Sequence, residues 1–324
     1  MNKIKEEDIR PKKIFDQFLD LLKEDGDIYF KNSKRVLIDC PCCRSKEHKF
    51  WLSKEGFDYQ ICKSCHTIYQ SPRPLNKYFK KFYEQSKSVK FWASNFYKET
   101  IDSRVELIWK PKAKLVLNSI IKNEKNRKVD NLIDVGGGYG LFCQELNKLR
   151  KFDTYVIEPS KDLAKICREK GFSVIESFAE DVNPKMIPEG RSCFVSFELL
   201  EHVYNPIDFI QHIYSLMKSN DILVLTTLNG MGLDILHLKD KSKSISPPQH
   251  INFLNPNSLK LLLSKTGFSE ISTFTPGKLD IDILLKSSDD YYWNQISNYL
   301  GKEKLQKIIS ENNLSSHMMT ICLK

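Results

Sequence analysis

Residues 131–146 read "NLIDVGGGYGLFCQEL", and the reading of this stretch decides the fold. An apolar run ends at Asp134 and Val135, Gly136, Gly137, Gly138 and Gly140 follow, and a pattern with helical spacing resumes at Leu141. Glycine reaches positive φ without a Cβ penalty and lets a ligand approach the backbone closely. A strand, a glycine turn and a helix in that order form a nucleotide-binding βα unit. Glycine fingerprints recur in several nucleotide-binding folds and in plain tight turns, so the next strand carries more information.

That strand, "TYVIEPS", ends in Glu158, eighteen residues beyond Gly140. An acidic side chain there is placed to accept hydrogen bonds from two ribose hydroxyls. Further out the alternation continues through "SVIES", "CFVSF" and "DILVLTTLN", separated by "LFCQELNKL", "KDLAKICREKG" and "PIDFIQHIYSLMK". Strands alternating with helices at this spacing predict a parallel sheet with right-handed crossovers and helices on both faces. Ligands bind beyond the carboxyl ends of such strands, so Asp134, Glu158, Phe178 and Glu198 are expected along one crevice. The final "SHMMTICLK" reads as a last strand.

After the fourth strand comes "FELLEHVYNP", residues 197–206. If a helical turn begins there, Glu198, Glu201 and His202 stand at i, i+3 and i+4 and share one face. They would converge on a metal ion, a substrate hydroxyl or solvent.

Near the N-terminus, Cys40-x-x-Cys43 and Cys62-x-x-Cys65 are separated by eighteen residues. Paired knuckles at this spacing predict a structural zinc ribbon whose four thiolates leave no open position for chemistry. So small a segment takes its folding energy from the metal. Cys42 is an extra thiol that could replace Cys43 only by shortening the first knuckle. Nine cysteines without a secretion signal argue against a disulfide framework.

The 324 residues carry 50 basic and 41 acidic side chains, a net charge of +9. Such an excess steers anionic partners, although lysines spread over solvated faces would produce it too. No dense basic and aromatic face accompanies the ribbon, which argues against nucleic acid. The opening "MNKIKEEDIRPKK" has no apolar h-region and the longest apolar run, "ILVLTTL", is too short to span a bilayer. A soluble, cytoplasmic protein is therefore expected. The organisation reads as a helical segment over 1–36, the ribbon over 37–75, an aromatic-rich helical lid over 76–125 and the sheet domain over 126–324.

Taken together, "DVGGGYG" and "IEPS" resemble class I S-adenosylmethionine-dependent methyltransferases. "CPCC", "CKSCHTIYQSPRP", "FELLEHVYNP", "LTTLN", "PPQHINFLNPNSLKLLL" and "TPGKLDIDIL" follow the order of bacterial members that carry an N-terminal zinc-binding segment. The resemblance implies a doubly wound, mostly parallel seven-stranded sheet with S-adenosylmethionine as cofactor. It places the methionine end of the cofactor at Asp134, Gly136, Gly138 and Gly140, and the ribose at Glu158. The adenine falls at Phe178, Ala179 and Glu180, and the sulfonium near Phe197 and Glu198. Arg44 and His66 stand where such knuckles usually carry glycine, and Phe178 where many relatives have aspartate.

Several such enzymes act on nucleotide-linked sugars in surface-polysaccharide or natural-product pathways, which implies a small anionic acceptor. Removing a proton from an oxygen or carbon acceptor needs a base, and His202 and His250 are the candidates, with Glu201 orienting His202. The E-x-x-E-H pattern also resembles the divalent-cation segment of ubiquinone-pathway and small-RNA 2′-O-methyltransferases, in the latter of which a later histidine, here His250, joins the cluster; this makes a second metal, and an RNA or quinone acceptor, the rival reading. A non-catalytic protein that keeps the fold is a third.

Overall fold

The N-terminal part of the chain carries five short strands, β1 (Arg35–Val36), β2 (His48–Lys54), β3 (Phe57–Cys62), β4 (Ile68–Gln70) and β5 (Arg73–Pro74). The remaining eight are β6 (Asn131–Val135), β7 (Asp153–Ile157), β8 (Ser173–Ile175), β9 (Ser192–Phe197), β10 (Ile222–Leu228), β11 (Asn252–Phe253), β12 (Ser269–Phe274) and β13 (His317–Leu323). They belong to a computed structural model that describes residues 5–124, 127–287 and 291–324.

Seven strands form one sheet in the order β12-β13-β10-β9-β6-β7-β8. The pairs among β8, β7, β6, β9 and β10 are parallel, and β13 runs antiparallel to both of its neighbours. Every residue of β6 and β10 is buried. Their near-continuous apolar sequences are what a strand covered by helices on both faces requires. The chain passes from β6 outward to β7 and β8, then returns to the other side of β6 for β9. This reversal opens the ligand crevice beyond the carboxyl ends of β6 and β9.

A smaller antiparallel sheet has the order β11-β4-β3-β2. Its β2–β3 hairpin turns through Glu55 and Gly56, both at positive φ, the pairing of conformations that a two-residue hairpin demands. The outer strand β11 comes from the far side of the chain, between β10 and β12. The ribbon sheet is thus completed by a segment of the sheet domain.

The Lys12–Phe30 helix buries Ile14, Phe15, Phe18, Leu22 and Phe30, the stripe that its helical spacing predicts. That face joins Phe57, Tyr59 and Ile68 of the ribbon, Phe79, Phe82 and Phe96 of the following helices, and Ile251 and Phe253 in one core. The helical stretch over residues 87–123 contains two π-helical segments, Trp92–Phe96 and Val105–Trp109. Such bulges are rare and concentrate near functional sites. Among the described residues no helix is long and apolar enough to cross a membrane.

Candidate active site

The glycine loop is shaped by close approach. A Cβ on Gly137 would lie 2.6 Å from Val156 Cγ1 and 3.1 Å from Asp134 Cγ, so only glycine fits above Asp134. At Gly138, with φ +55°, an added Cβ would meet nothing within 4 Å. That open side is where a bound nucleotide-type ligand can lie against the backbone. Glu158, buried at the end of β7, accepts from the Gly138 and Ser160 amides, each at 2.9 Å. Each carboxylate oxygen keeps lone-pair capacity for a ribose hydroxyl. Asp134 is buried and accepts from the Cys143 thiol at 3.2 Å. Burial pushes its carboxyl up to about 7.

The helical stretch over residues 87–123 packs against this loop. Tyr139 stacks on Tyr97 with centroids 4.8 Å apart and planes 1° apart, and its hydroxyl donates to the Ala93 carbonyl. Phe197 packs edge-on against Phe142 and lies 4.5 Å below the Lys112 ammonium. Phe178 is exposed, Ala179 buried and Glu180 exposed at the end of the loop after β8. Among the expected adenine neighbours, only Ala179 is buried.

Beyond β9 the chain does not enter a helix. Glu198 adopts φ +51°, and two tight turns close with His202 N donating to Leu199 O at 2.9 Å and Val203 N to Leu200 O at 3.4 Å. The left-handed residue breaks the helical phase, so the expected convergence of Glu198 with Glu201 and His202 does not occur. The Glu198 carboxylate instead meets His317 Nδ1 at 3.2 Å, Thr226 Oγ1 at 2.8 Å and Lys112 Nζ at 3.8 Å. Burial opposes ionisation of Glu198, but His317, Lys112 and Thr226 outweigh it and hold the carboxyl below its usual range. Burial likewise disfavours the His317 cation, and the charge of Glu198 reverses that and raises it.

Glu201, His202 and His250 come together instead, with one ligand-type atom of each within 4.8 Å of the others. The two imidazole centroids lie 4.7 Å apart. His202 Nδ1 sits 3.2 Å from the Gln249 carbonyl and 3.3 Å from the Tyr83 hydroxyl. His250 Nδ1 sits 2.7 Å from the Ser244 carbonyl and 2.9 Å from Ser246 Oγ. A carbonyl oxygen only accepts, so both Nδ1 atoms carry the proton and both Nε2 atoms keep a lone pair. Thr227 Oγ1 donates to Glu201 at 2.7 Å.

Burial moves the three groups apart in acidity. It lowers His202 to about 4 and, with the neighbouring His202, lowers His250 to about 3. It raises Glu201 to about 8, helped by the charge of Glu198. At neutral pH the cluster therefore holds two neutral imidazoles, and its proton belongs to Glu201.

Cys40, Cys43, Cys62 and Cys65 form the other cluster, with their four sulfurs within 4.8 Å of one another. Cys40 and Cys65 lie 3.5 Å apart, as do Cys43 and Cys62, far beyond a disulfide bond. Four thiols in a compact set suit a tetrahedral Zn²⁺. Arg44 N donates to Cys40 O and His66 N to Cys62 O. Arg44 and His66 reach φ +64° and +58°, the left-handed conformation that glycine would adopt without strain. Cys42 lies beside Cys65 but outside this set, donating to Ser258 O at 3.1 Å.

The methyltransferase domain family matches residues 108–273, just over half of the chain. The chain belongs to that family. No curated protein sequence matches it. Solved structures of similar fold include a Haemonchus contortus phosphoethanolamine N-methyltransferase with bound S-adenosyl-L-methionine. It is 14% identical, with 79% of this chain and 62% of that one covered and a TM-score of 0.51. The plantazolicin methyltransferase BamL is 15% identical over 76% of this chain and 94% of its own, with a TM-score of 0.51. The methyltransferase in complex with the Haloferax volcanii Trm112 activator is 13% identical, with 72% and 95% covered and a TM-score of 0.50. The similarity shows that this chain has the fold of a class I S-adenosylmethionine-dependent methyltransferase.

Lys112, His317 and Tyr83 join the site without having been expected there. Lys112 reaches it from the Lys110–Asn123 helix and carries a pKa lowered by burial. His317 opens β13, opposite Leu228 at the carboxyl end of β10. A histidine at the start of an antiparallel last strand has to fall on the crevice edge, and that was the available signal. Lys112 offers no local signal.

Proposed function

We propose that this methyltransferase moves the methyl group of S-adenosylmethionine to a hydroxyl or activated carbon of a small anionic metabolite, such as a nucleotide-linked sugar. The glycine loop and Glu158 hold the cofactor, whose sulfonium supplies an electrophilic methyl group when bound. Phe178 to Glu180 border the adenine, and Phe197 and Glu198 flank the sulfonium. The observation that carries the acid-base part is the pair of Nε2 lone pairs at the half-buried His202 and His250, fixed by carbonyls behind them. An acceptor proton passes to one of these lone pairs, with Glu201 close beside both rings. Lys112, the cation beside Glu198, supplies the attraction for an anionic acceptor.

The ribbon, with Cys40, Cys43, Cys62 and Cys65 around one Zn²⁺, is structural in this reading. The same Glu201, His202 and His250 spacing also suits a divalent cation, which would activate a hydroxyl by lowering its pKa. Turnover after chelation and add-back of Mg²⁺ or Mn²⁺, with ribbon zinc measured in the same sample, separates the two. Titration calorimetry with S-adenosylhomocysteine tests the cofactor assignment. Wild type binds in the micromolar range, and Glu158→Ala weakens binding about tenfold, the effect of losing one to two hydrogen bonds to a charged acceptor. No heat from folded wild-type protein would end this reading.

A further inference from the structure

Arg73 heads the fully buried side chains by size. Its guanidinium has no carboxylate partner among the described residues. It donates to four neutral acceptors: Gln70 O at 3.3 Å, Tyr204 O at 2.5 Å, Ile251 O at 3.1 Å and Asn252 Oδ1 at 2.7 Å. Burying a cation without a counter-charge is costly, and an apolar side chain of similar volume would pack a ribbon against a domain at lower cost. The position of the acceptors gives the cation a different use.

Tyr204 lies two residues beyond His202, and Ile251 directly follows His250. One planar group thus ties together the two loops that carry the imidazoles. The ribbon reinforces the second loop at three more points. The Tyr59 hydroxyl donates to the His250 carbonyl at 2.8 Å, Gln70 N donates to Ile251 O at 2.9 Å, and β4 pairs with β11 through Tyr69↔Asn252 and Ile68↔Phe253. Across the gap, Ile251 N and Asn252 N donate to Glu201 O at 2.9 and 3.2 Å, and Asn252 Nδ2 donates to Val203 O at 2.7 Å.

We propose that Arg73 is a positioning residue through which the ribbon sets the spacing and orientation of His202 and His250. This rests on the reading that the two histidines serve the acceptor, but its geometry can be tested without any acceptor. The fork of the guanidinium matters, because a lysine ammonium is a point donor that cannot span carbonyls on two loops.

The test uses the zinc-loaded full chain labelled with ¹⁵N-histidine, read by long-range ¹H–¹⁵N correlation of the imidazole rings. Wild type is expected to show His202 and His250 each as a single Nδ1–H tautomer. In Arg73→Lys both ring signatures move and at least His250 becomes a tautomer mixture, while S-adenosylhomocysteine affinity stays within about twofold and zinc stays at one per chain. Tyr59→Phe, which keeps the volume, moves His250 alone. Wild-type ring signatures in folded Arg73→Lys would overturn the proposal. If that variant does not fold, an unchanged His250 signature in Tyr59→Phe overturns it instead. Failure of the reading that the histidines serve the acceptor would look different: undiminished turnover by a His202→Gln, His250→Gln double variant, with the ring signatures of Arg73→Lys still displaced.

Discussion

Among the described residues there are two compact clusters of ligand-type side chains, and they differ in what lies behind them. In the ribbon, four sulfurs face one another and two knuckle residues accept left-handed backbone to keep them there. Every donor points inward, which makes a closed site. In the crevice, Glu201, His202 and His250 are equally close, but each imidazole spends its Nδ1 on a carbonyl behind it and leaves Nε2 free. Inward-facing donors build structure, and donors anchored from behind are held ready for chemistry. The cysteine segment is also tied to the helix that follows His250 in the chain, since Asn255 Nδ2 donates to Cys65 O at 2.9 Å and Cys42 to Ser258 O.

The largest expected effect breaks the first cluster. Cys62→Ser removes one of four thiolates, and measured zinc should fall from one per chain to well below one. Because metal binding is folding energy in such a segment, its melting temperature should drop by about 3–6 °C, a loss on the order of 2–4 kcal/mol for a chain of this size. Zinc and stability at wild-type levels would show that the four thiols are not a metal site.

A smaller effect sharpens the second cluster through pH. His202 and His250 are held at about 4 and about 3, below their ordinary 6.5. As pH falls through 6.5 the unfolded chain takes up these protons before the folded one. Stability contributed by the neutral pair is therefore complete above pH 6.5 and declines toward pH 4 and below. Melting temperature across pH 7.5 to 4.5 should fall by several degrees more in wild type than in His202→Gln, His250→Gln. Parallel curves would show that the imidazoles are not buried neutral. Cys42→Ser should do least, leaving zinc at one per chain and stability within about 1 kcal/mol, because the four-sulfur set is complete without it.

The sheet was readable from sequence because each strand is a short apolar run ending at a chemically distinct residue. Asp134, Glu158 and Glu198 fall at or just beyond the ends of β6, β7 and β9 for that reason. The cysteine knuckles were readable by spacing, and the structure resolves the Cys42 ambiguity through its bond to Ser258. The turn after β9 was misread, since nothing in "FELLEHV" signals that Glu198 turns left-handed and leaves Glu201 to pair with His250. Lys112, His317 and Arg73 come from segments far apart in the chain, and β11 is a two-residue strand with no periodicity to detect. Such contacts are set by tertiary packing, which local pattern does not encode.

The most direct test of the account is transfer of a labelled methyl group from S-adenosylmethionine to a panel of nucleotide-linked sugars, comparing wild type with His202→Gln, His250→Gln. Wild type should label an acceptor. The double variant should bind S-adenosylhomocysteine within about twofold of wild type yet transfer label about 10²- to 10⁴-fold more slowly, the range expected for loss of general-base catalysis. Label transfer by the double variant at the wild-type rate would contradict the account.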